Sequence, residues 1–347
     1  RGLGDVYKRQ EIWYPKHLSL EQCSSEITAR YKARLFQGDS LTDLTGGFGI
    51  DCSFLATGFK SATYVERQEE LCEIAAHNFP ILNLNHINVR NEDGVAYLQT
   101  MSPVDCIFLD PARRNEHGGK TVAISDCEPN VAELEALLLS KANRVMIKLS
   151  PMLDLSLALK ELKHTQEIHI LSVNNECKEL LILLRQTSPA EIAIHCVNLL
   201  TKGTQEEQHL VFTREQEQRS QCTYTDSLGN YLYEPNASLL KAGAFRSIAA
   251  AYPVRKLHPN SHLYTSDSFI ENFPGRIFRI VNQCSFNKKE VKENLADLKK
   301  ANVTVRNFPA TVAELRKRLH LTEGGDTYLF ASTLNNGQKV IIRCEKV

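Results

Sequence analysis

Short apolar runs alternate with stretches of helical periodicity between residues 40 and 173, and this alternation constrains the fold more than any other feature of the chain. The runs 40–44, 62–65, 87–90, 104–109, 144–149 and 167–173 have strand length, and the stretches 50–57, 68–78, 94–101, 129–140 and 153–162 have helix length. Strands separated by helices require crossover connections, so the pattern predicts an α/β unit with a parallel sheet covered on both faces. After Val173 only strands follow, at 179–184, 192–199 and 209–213. They predict a hairpin-like tail at the sheet edge. Ahead of the sheet, Ser19-Leu20-Glu21-Gln22 has the capping-box form and predicts a helix over 20–36.

The rear of the chain reads differently. Helices at 290–299 and 311–319 flank a strand at 303–305, and strands at 327–332 and 339–343 close a small sheet across Asn335-Asn336-Gly337. Charge divides along the same line. Residues 1–236 carry a net −9 and residues 237–347 a net +9, within a chain whose total is zero. An anionic partner for the rear and mutual docking of oppositely charged domains both fit this split. No apolar run approaches the roughly 20 residues of a membrane span, so none is expected. The ten cysteines form no C-x-x-C pair and several fall in apolar runs, which predicts core-filling thiols and a reducing, cytoplasmic setting. Metal catalysis has no footing in an H-E-x-x-H pair, so no metal is expected. Residues 1–10 lack an initiator Met and resemble translated adapter sequence. They are set aside as a non-native segment.

The strongest chemical motif is Asp43-Leu44-Thr45-Gly46-Gly47-Phe48-Gly49-Ile50-Asp51, a strand ending in an acid and a glycine turn opening a helix. Glycines there admit positive φ and a close approach of backbone to ligand. A nicotinamide fingerprint would need Gly or Ala where Cys52 stands, and a phosphate-cradling loop would need Lys-Ser/Thr at the helix start. What remains is the form D-x-x-x-G-x-G. The next strand ends at Glu66, placed to accept ribose hydroxyls as in dinucleotide folds. The third ends near Asn91-Glu92-Asp93, and the fourth delivers Asp110-Pro111-Ala112-Arg113-Arg114. Gly118-Gly119-Lys120 and Asp126-Cys127-Glu128-Pro129 then form a loop suited to be a substrate lip.

Together these residues resemble bacterial class I methyltransferases carrying a C-terminal THUMP-like domain. The resemblance covers most of residues 12–347. It is carried in front by Glu21-Gln22-Cys23-Ser24-Ser25-Glu26, DLTGGFGID at 43–51, FLDPARR at 108–114, Ser150-Pro151-Met152-Leu153-Asp154 and Asn175-Glu176-Cys177-Lys178-Glu179-Leu180. In the rear it is carried by Lys256-Leu257-His258-Pro259-Asn260-Ser261, Phe273-Pro274-Gly275-Arg276 and Val305-Arg306-Asn307-Phe308-Pro309. It implies an N-terminal helical segment at 11–36 and a Rossmann-like, seven-stranded methyltransferase sheet at 37–236. Small α+β modules follow, ferredoxin-like at 237–280 and THUMP-like at 281–347.

The implied cofactor is S-adenosylmethionine. Asp43, Thr45, Gly46, Gly47, Gly49 and Asp51 would surround it, Glu66 would take the ribose hydroxyls, and Asp93 the adenine amino group. Asp110 and Pro111 match the motif with which amino-methylating enzymes hold a target amine. Ala112 replaces its second proline and Arg113 its aromatic, although a guanidinium plane can also stack on a base. The 5-methyluridine enzymes that share DPAR need a cysteine after the fifth strand, where this chain reads Lys148-Leu149-Ser150-Pro151. Cys177 beside Glu176 is a weaker nucleophile candidate that lacks a placed histidine. Arg114, Lys120, Arg306 and Arg316 are expected to contact an RNA substrate. The implied activity is methylation of a nucleobase in tRNA or rRNA. A methyltransferase of protein or small molecules, or a cofactor-binding RNA-associated module without turnover, stands as the alternative.

Overall fold

The computed structural model describes residues 11–16, 23–114, 123–187 and 189–347. It divides into two compact units, Arg1–Glu206 and Glu207–Val347. The first unit runs α1 (Glu26–Leu35), β1 (Gly38–Asp43), α2 (Ile50–Leu55), β2 (Phe59–Glu66), α3 (Glu69–Ile81), β3 (Ile87–Asn91), α4 (Gly94–Thr100) and β4 (Val104–Leu109). It continues with a two-residue ladder of β5 (Ala112–Arg113) and β6 (Cys127–Glu128), then α5 (Val131–Lys141), β7 (Ala142–Leu149), α6 (Leu155–Glu161), β8 (Thr165–Val173), β9 (Glu176–Leu184) and β10 (Ala193–Leu199).

Within this unit the strands lie side by side in the order β10-β8-β9-β7-β4-β1-β2-β3. The pairs from β7 to β3 are parallel, as the alternation predicted. Chain order reverses between β1 and β4, so the carboxyl ends of those two strands flank the crevice where open α/β sheets bind ligands. The tail differs from its expectation. β9 is not an edge strand: it pairs antiparallel with both β7 and β8. Its run Leu180–Leu184 is apolar at every position because both faces are covered. β10 then runs parallel to β8, not antiparallel, which extends the sheet.

The first helix is also corrected. It begins at Glu26, where Ser25 caps it by accepting from the Thr28 amide at 3.4 Å. The proposed capping box Ser19–Gln22 lies outside the described residues. The helix seats Tyr31 and Phe36 in the main core with Leu41, Leu55, Phe79 and Phe108.

The second unit comprises β11 (Glu207–Phe212), α7 (Arg214–Arg219), β12 (Tyr231–Pro235), α8 (Ala237–Ala242), α9 (Phe245–Ala251), β13 (Arg255–Lys256), β14 (Tyr264–Ser266) and β15 (Gly275–Ser285). α10 (Lys288–Leu295), β16 (Asn302–Val305), α11 (Val312–Leu319), β17 (Thr327–Thr333) and β18 (Lys339–Lys346) follow. Its sheet runs β13-β14-β12-β15-β18-β17-β16. The hairpin β17–β18 turns at Asn335–Gly337, with Gly337 at φ +87°. Alternation along β17 feeds two cores. Phe330 faces one with Leu232, Phe278 and Ile342, while Leu329 and Ala331 face the other with Leu295 and Leu315. α10 and α11 therefore cover one face of the sheet together. All ten cysteines are free, and seven of them are buried. No helix of the described residues is long and apolar enough to cross a membrane.

Candidate active site

The tip of β1 turns into α2 through Gly46-Gly47-Phe48-Gly49. Gly47 (φ +56°) and Gly49 (φ +87°) occupy the left-handed region, which side chains resist. A Cβ on Gly46 would lie 2.3 Å from the Tyr64 ring, whereas one on Gly47 would meet only the Thr45 carbonyl, at 3.7 Å. The loop is thus packed beneath and open above, as a backbone cradle for a ligand must be. Tyr64 donates its hydroxyl hydrogen to the Gly47 carbonyl. Glu66, at the tip of β2, accepts from the Gly47 amide at 2.8 Å through Oε2 and from the Gln68 amide at 2.9 Å through Oε1. Each carboxylate oxygen has two acceptor sites, so one on each remains for a ribose diol. This donor set fits S-adenosylmethionine.

Asp43 lies under the loop, its Oδ1 accepting from the Thr45 amide at 3.0 Å. Burial, with Asp51 and Asp110 adding to it, pushes the Asp43 carboxyl up to about 8. Asp93 serves a local purpose: it caps α4 by accepting from the Val95 and Ala96 amides, both at 3.0 Å. Asn91, at the tip of β3, donates to the Glu66 and Arg67 carbonyls.

At the tip of β4, the Asp110 amide donates to the Thr45 hydroxyl at 2.7 Å. The glycine turn and the DPAR segment are thereby tied together. The Asp110 side chain is 38% exposed, and its Oδ2 is 2.9 Å from the Lys148 ammonium at the tip of β7. Behind this pair lies a buried network. Lys148 is 3.6 Å from Asp51, Asp51 is 2.9 Å from Lys32, and Lys32 is 2.8 Å from Glu179. Ser24 donates to Asp51 at 2.8 Å and accepts from Lys32 at 2.9 Å.

Burial alone would neutralise these groups; their mutual attraction keeps most of them charged. Burial pushes Asp51 up, but Lys32 and Lys148 outweigh it and hold its carboxyl below the ordinary value. Burial also works against the Lys148 ammonium, yet Asp110, Asp51 and Glu179 raise its affinity for the proton well above normal. The Asp110 carboxyl is pushed up by burial, against the pull of Lys148. Asp51 thus sits inside an ion network. The sequence reading had no place for Lys148, Lys32 or Glu179, although a lysine closing the apolar run 145–149 was a visible signal.

Pro111 follows Asp110, and Arg113 lies exposed on the short ladder with Cys127, its guanidinium 4.0 Å from the Met152 sulfur. Arg114 donates its amide to the Asp126 carbonyl at 3.0 Å. Lys120 lies outside the described residues. Trp13 and Tyr14 are exposed; Trp13 stacks on His77 at 3.8 Å, and Tyr14 lies 5.8 Å from Phe48 in the glycine turn.

In the second unit, Arg306 and Arg276 both pair with the buried Glu234, at 3.4 and 2.7 Å, and Arg316 is 3.7 Å from Glu323. Arg318 covers the Phe286 ring. Lys256, in the string that carries the resemblance in the rear, is turned inward. It is buried, donates to the His258 and Pro259 carbonyls at 2.8 and 2.7 Å, and burial lowers its pKa to about 8.

Glu167, His169 and His195 bring ligand-type atoms within 4.8 Å of one another. His169 and His195 are register partners on β8 and β10, and their rings stack at 4.2 Å with 6° between planes. Lone pairs in parallel planes run side by side and do not converge on one ion. Glu167 bridges the two imidazoles, at 3.3 and 3.4 Å, and the Tyr31 hydroxyl meets Nδ1 of His169 at 2.7 Å.

A ferredoxin-like domain model matches residues 231–274, and a THUMP domain-like model matches residues 275–346. No curated protein matches the chain. Among solved structures, a candidate methyltransferase from Porphyromonas gingivalis W83 is 38% identical, over 97% of this chain and 84% of its own, with a TM-score of 0.88. A candidate class I S-adenosylmethionine-dependent methyltransferase from Listeria monocytogenes is 12% identical, over 55% of this chain and 69% of its own, at 0.40. A candidate methyltransferase from Streptococcus mutans, in complex with SAH, is 14% identical over 46% and 96%, at 0.33. Likenesses as distant as the last two add nothing to the argument.

Proposed function

The chain belongs to the family of S-adenosylmethionine-dependent class I methyltransferases with ferredoxin-like and THUMP-like domains, and we propose that it methylates an exocyclic amine of a nucleobase in RNA. The observation that carries this reading is the placement of Asp110 beside the glycine turn, bonded to Thr45 through its amide and to Lys148 through Oδ2. Oδ1 is the atom left to receive a target N–H.

S-adenosylmethionine supplies an electrophilic methyl group when bound. Gly46–Gly49 and Glu66 would hold it, leaving the protein the task of aligning the nucleophile, for which positioning is the dominant contribution. An exocyclic amine donates one N–H to Asp110 Oδ1 and one to the Pro111 carbonyl, which turns its lone pair toward the methyl group. As the N–C bond forms, the bond between that methyl group and the cofactor's sulfur would break and leave its electron pair on the sulfur; the nitrogen becomes positive, and the Asp110 carboxylate stabilises that charge and is placed to take the proton released. Arg113 is the stacking surface in place of the missing aromatic.

The RNA assignment is supported by the THUMP domain-like match and by the basic rear of the chain. Since Arg306 and Arg316 already hold acidic partners, the phosphate contacts fall chiefly to Lys288, Lys289, Lys292 and Lys317, all exposed on α10 and α11. These helices pack on the same core. The test is mass spectrometry of nucleosides from deletion and parent strains, followed by methyl transfer to deletion-strain RNA in vitro. The expected result is one N-methylated nucleoside that disappears on deletion and is restored by the protein. An unchanged nucleoside profile, with no transfer to that RNA, overturns the RNA assignment.

A further inference from the structure

We propose that Lys148 is a positioning residue for methyl transfer: its ammonium holds Oδ2 of Asp110 and keeps the carboxylate charged, with Oδ1 aimed at the incoming amine. This rests on the reading of Asp110 as the group that holds the target.

The geometry sets Lys148 apart from an ordinary surface ion pair. Its side chain is 13% exposed, it arises at the tip of β7, and it touches carboxylates from two other elements, Asp110 after β4 and Asp51 on α2. Among the described residues, the charged and titratable groups that face Asp110 are few. Asp51 and Asp43 oppose its ionisation, Lys148 and Lys32 favour it, and Cys23 lies in the same field. Glu179 faces Lys148 from β9. Lys32 cannot substitute for Lys148, because it is committed to Glu179 at 2.8 Å and to Asp51 at 2.9 Å.

Without Lys148, the half-buried Asp110 keeps its acidic neighbours Asp51 and Asp43 and loses its only direct cation among the described residues. Its carboxyl then takes up a proton at higher pH. A protonated carboxyl presents a donor where the amine needs an acceptor, and it cannot stabilise a cationic nitrogen. The chain so acquires an acidic limb in its activity that Lys148 moves downward in pH. The network behind Lys148 gives that cation one position and prevents it from swinging to solvent.

The experiment titrates the Asp110 carboxyl by carbon-13 NMR, assigned with Asp110→Asn, in the full chain. Parent, Lys148→Met, Lys148→Gln and Lys148→Arg proteins are compared. The expected midpoint rises by about one pH unit or more in the Met and Gln variants and returns toward the parent value in the Arg variant. Methyl transfer to deletion-strain RNA should lose about tenfold or more at neutral pH in Lys148→Met and recover as pH is raised. Affinity for S-adenosylmethionine should stay within about threefold. Gln keeps a neutral donor at the site, so a fold failure confined to Met leaves the measurement intact. An Asp110 midpoint unchanged in either folded neutral variant overturns the proposal. A midpoint that rises while the parent itself methylates no RNA leaves Lys148 in place and overturns the RNA assignment instead.

Discussion

The two units handle charge in opposite ways. The first unit, residues 1–206, has a net −6, yet its crevice is built around two lysines so enclosed that Lys32 has no exposed surface. The second unit, residues 207–347, has a net +6, yet Arg276, Arg306, Arg316 and Arg343 are held by Glu234, Glu323 and Asp297 of the same unit. Buried charges carry a large desolvation cost and persist only when paired, so in the front each is fixed by its neighbours. In the rear these arginines are tied to acids of their own unit, Arg276 and Arg306 to the buried Glu234, which leaves the exposed lysines of α10 and α11 as cations that face solvent. Net charge therefore points to a surface in the rear and conceals a site in the front.

The largest expected effect breaks the front alone. Asp110→Ala should reduce methyl transfer about 100-fold or more while leaving S-adenosylmethionine affinity within a few fold, since the carboxylate is proposed to hold the target and not the cofactor. Single-turnover assays with calorimetry check this. Comparable loss of cofactor affinity would move Asp110 into the cofactor cradle.

Glu66→Ala comes next. It removes the proposed ribose acceptor and also the partner of the Gly47 and Gln68 amides. Loss of a charged hydrogen bond costs about 1.5–3 kcal/mol, or roughly 10- to 150-fold in affinity by calorimetry. Unchanged binding by a folded variant would remove Glu66 from the cradle.

The rear is tested by reversing Lys288, Lys289, Lys292 and Lys317 to Glu. Each phosphate contact on a single strand contributes about −0.7 to the slope of log affinity against log salt, so the slope should flatten by as much as about 3. Cofactor binding should be unaffected. The comparison between units fails if reversing Arg306 and Arg316 flattens the slope more than reversing the four lysines.

The smallest effect concerns stability. Because the Asp43 carboxyl is pushed up to about 8 in the fold, its favourable contribution is complete below about pH 4 and is lost as pH rises through 8. Asp43→Asn, which can still accept from Thr45, should therefore melt higher than the parent by a margin that widens between pH 5 and 8. The gain at the alkaline end should be about 1–3 kcal/mol. A margin flat across that range would show that Asp43 ionises at its ordinary pH.

Local patterns carried much of this molecule into view. The strand 104–109 is read from sequence with the bounds it has in the fold, because an apolar run interrupted only by Asp105, between turn signals, has few other uses. The glycine turn announces its positive-φ backbone through residue type alone. β9 shows where such reading stops. Its apolar run is visible, but whether it sits at an edge or between β7 and β8 depends on which strands pair, and no local preference decides that. The Ser19–Gln22 signal competed with Ser25, whose side chain caps the helix that forms.

The sequence by itself determined an α/β unit with a glycine turn, acids or amides at its strand tips and an Asp-Pro pair, followed by a basic α+β unit. These follow from residue type and short-range periodicity, which act within a few positions of the chain. Only the tertiary structure decided which charges meet. Lys32 and Glu179 are 147 positions apart and Asp110 and Lys148 are 38 apart, yet each pair closes to within 2.9 Å. The worth of a charge in a dry interior depends on distance through space and on the neighbours that replace water, and neither quantity is written in local sequence.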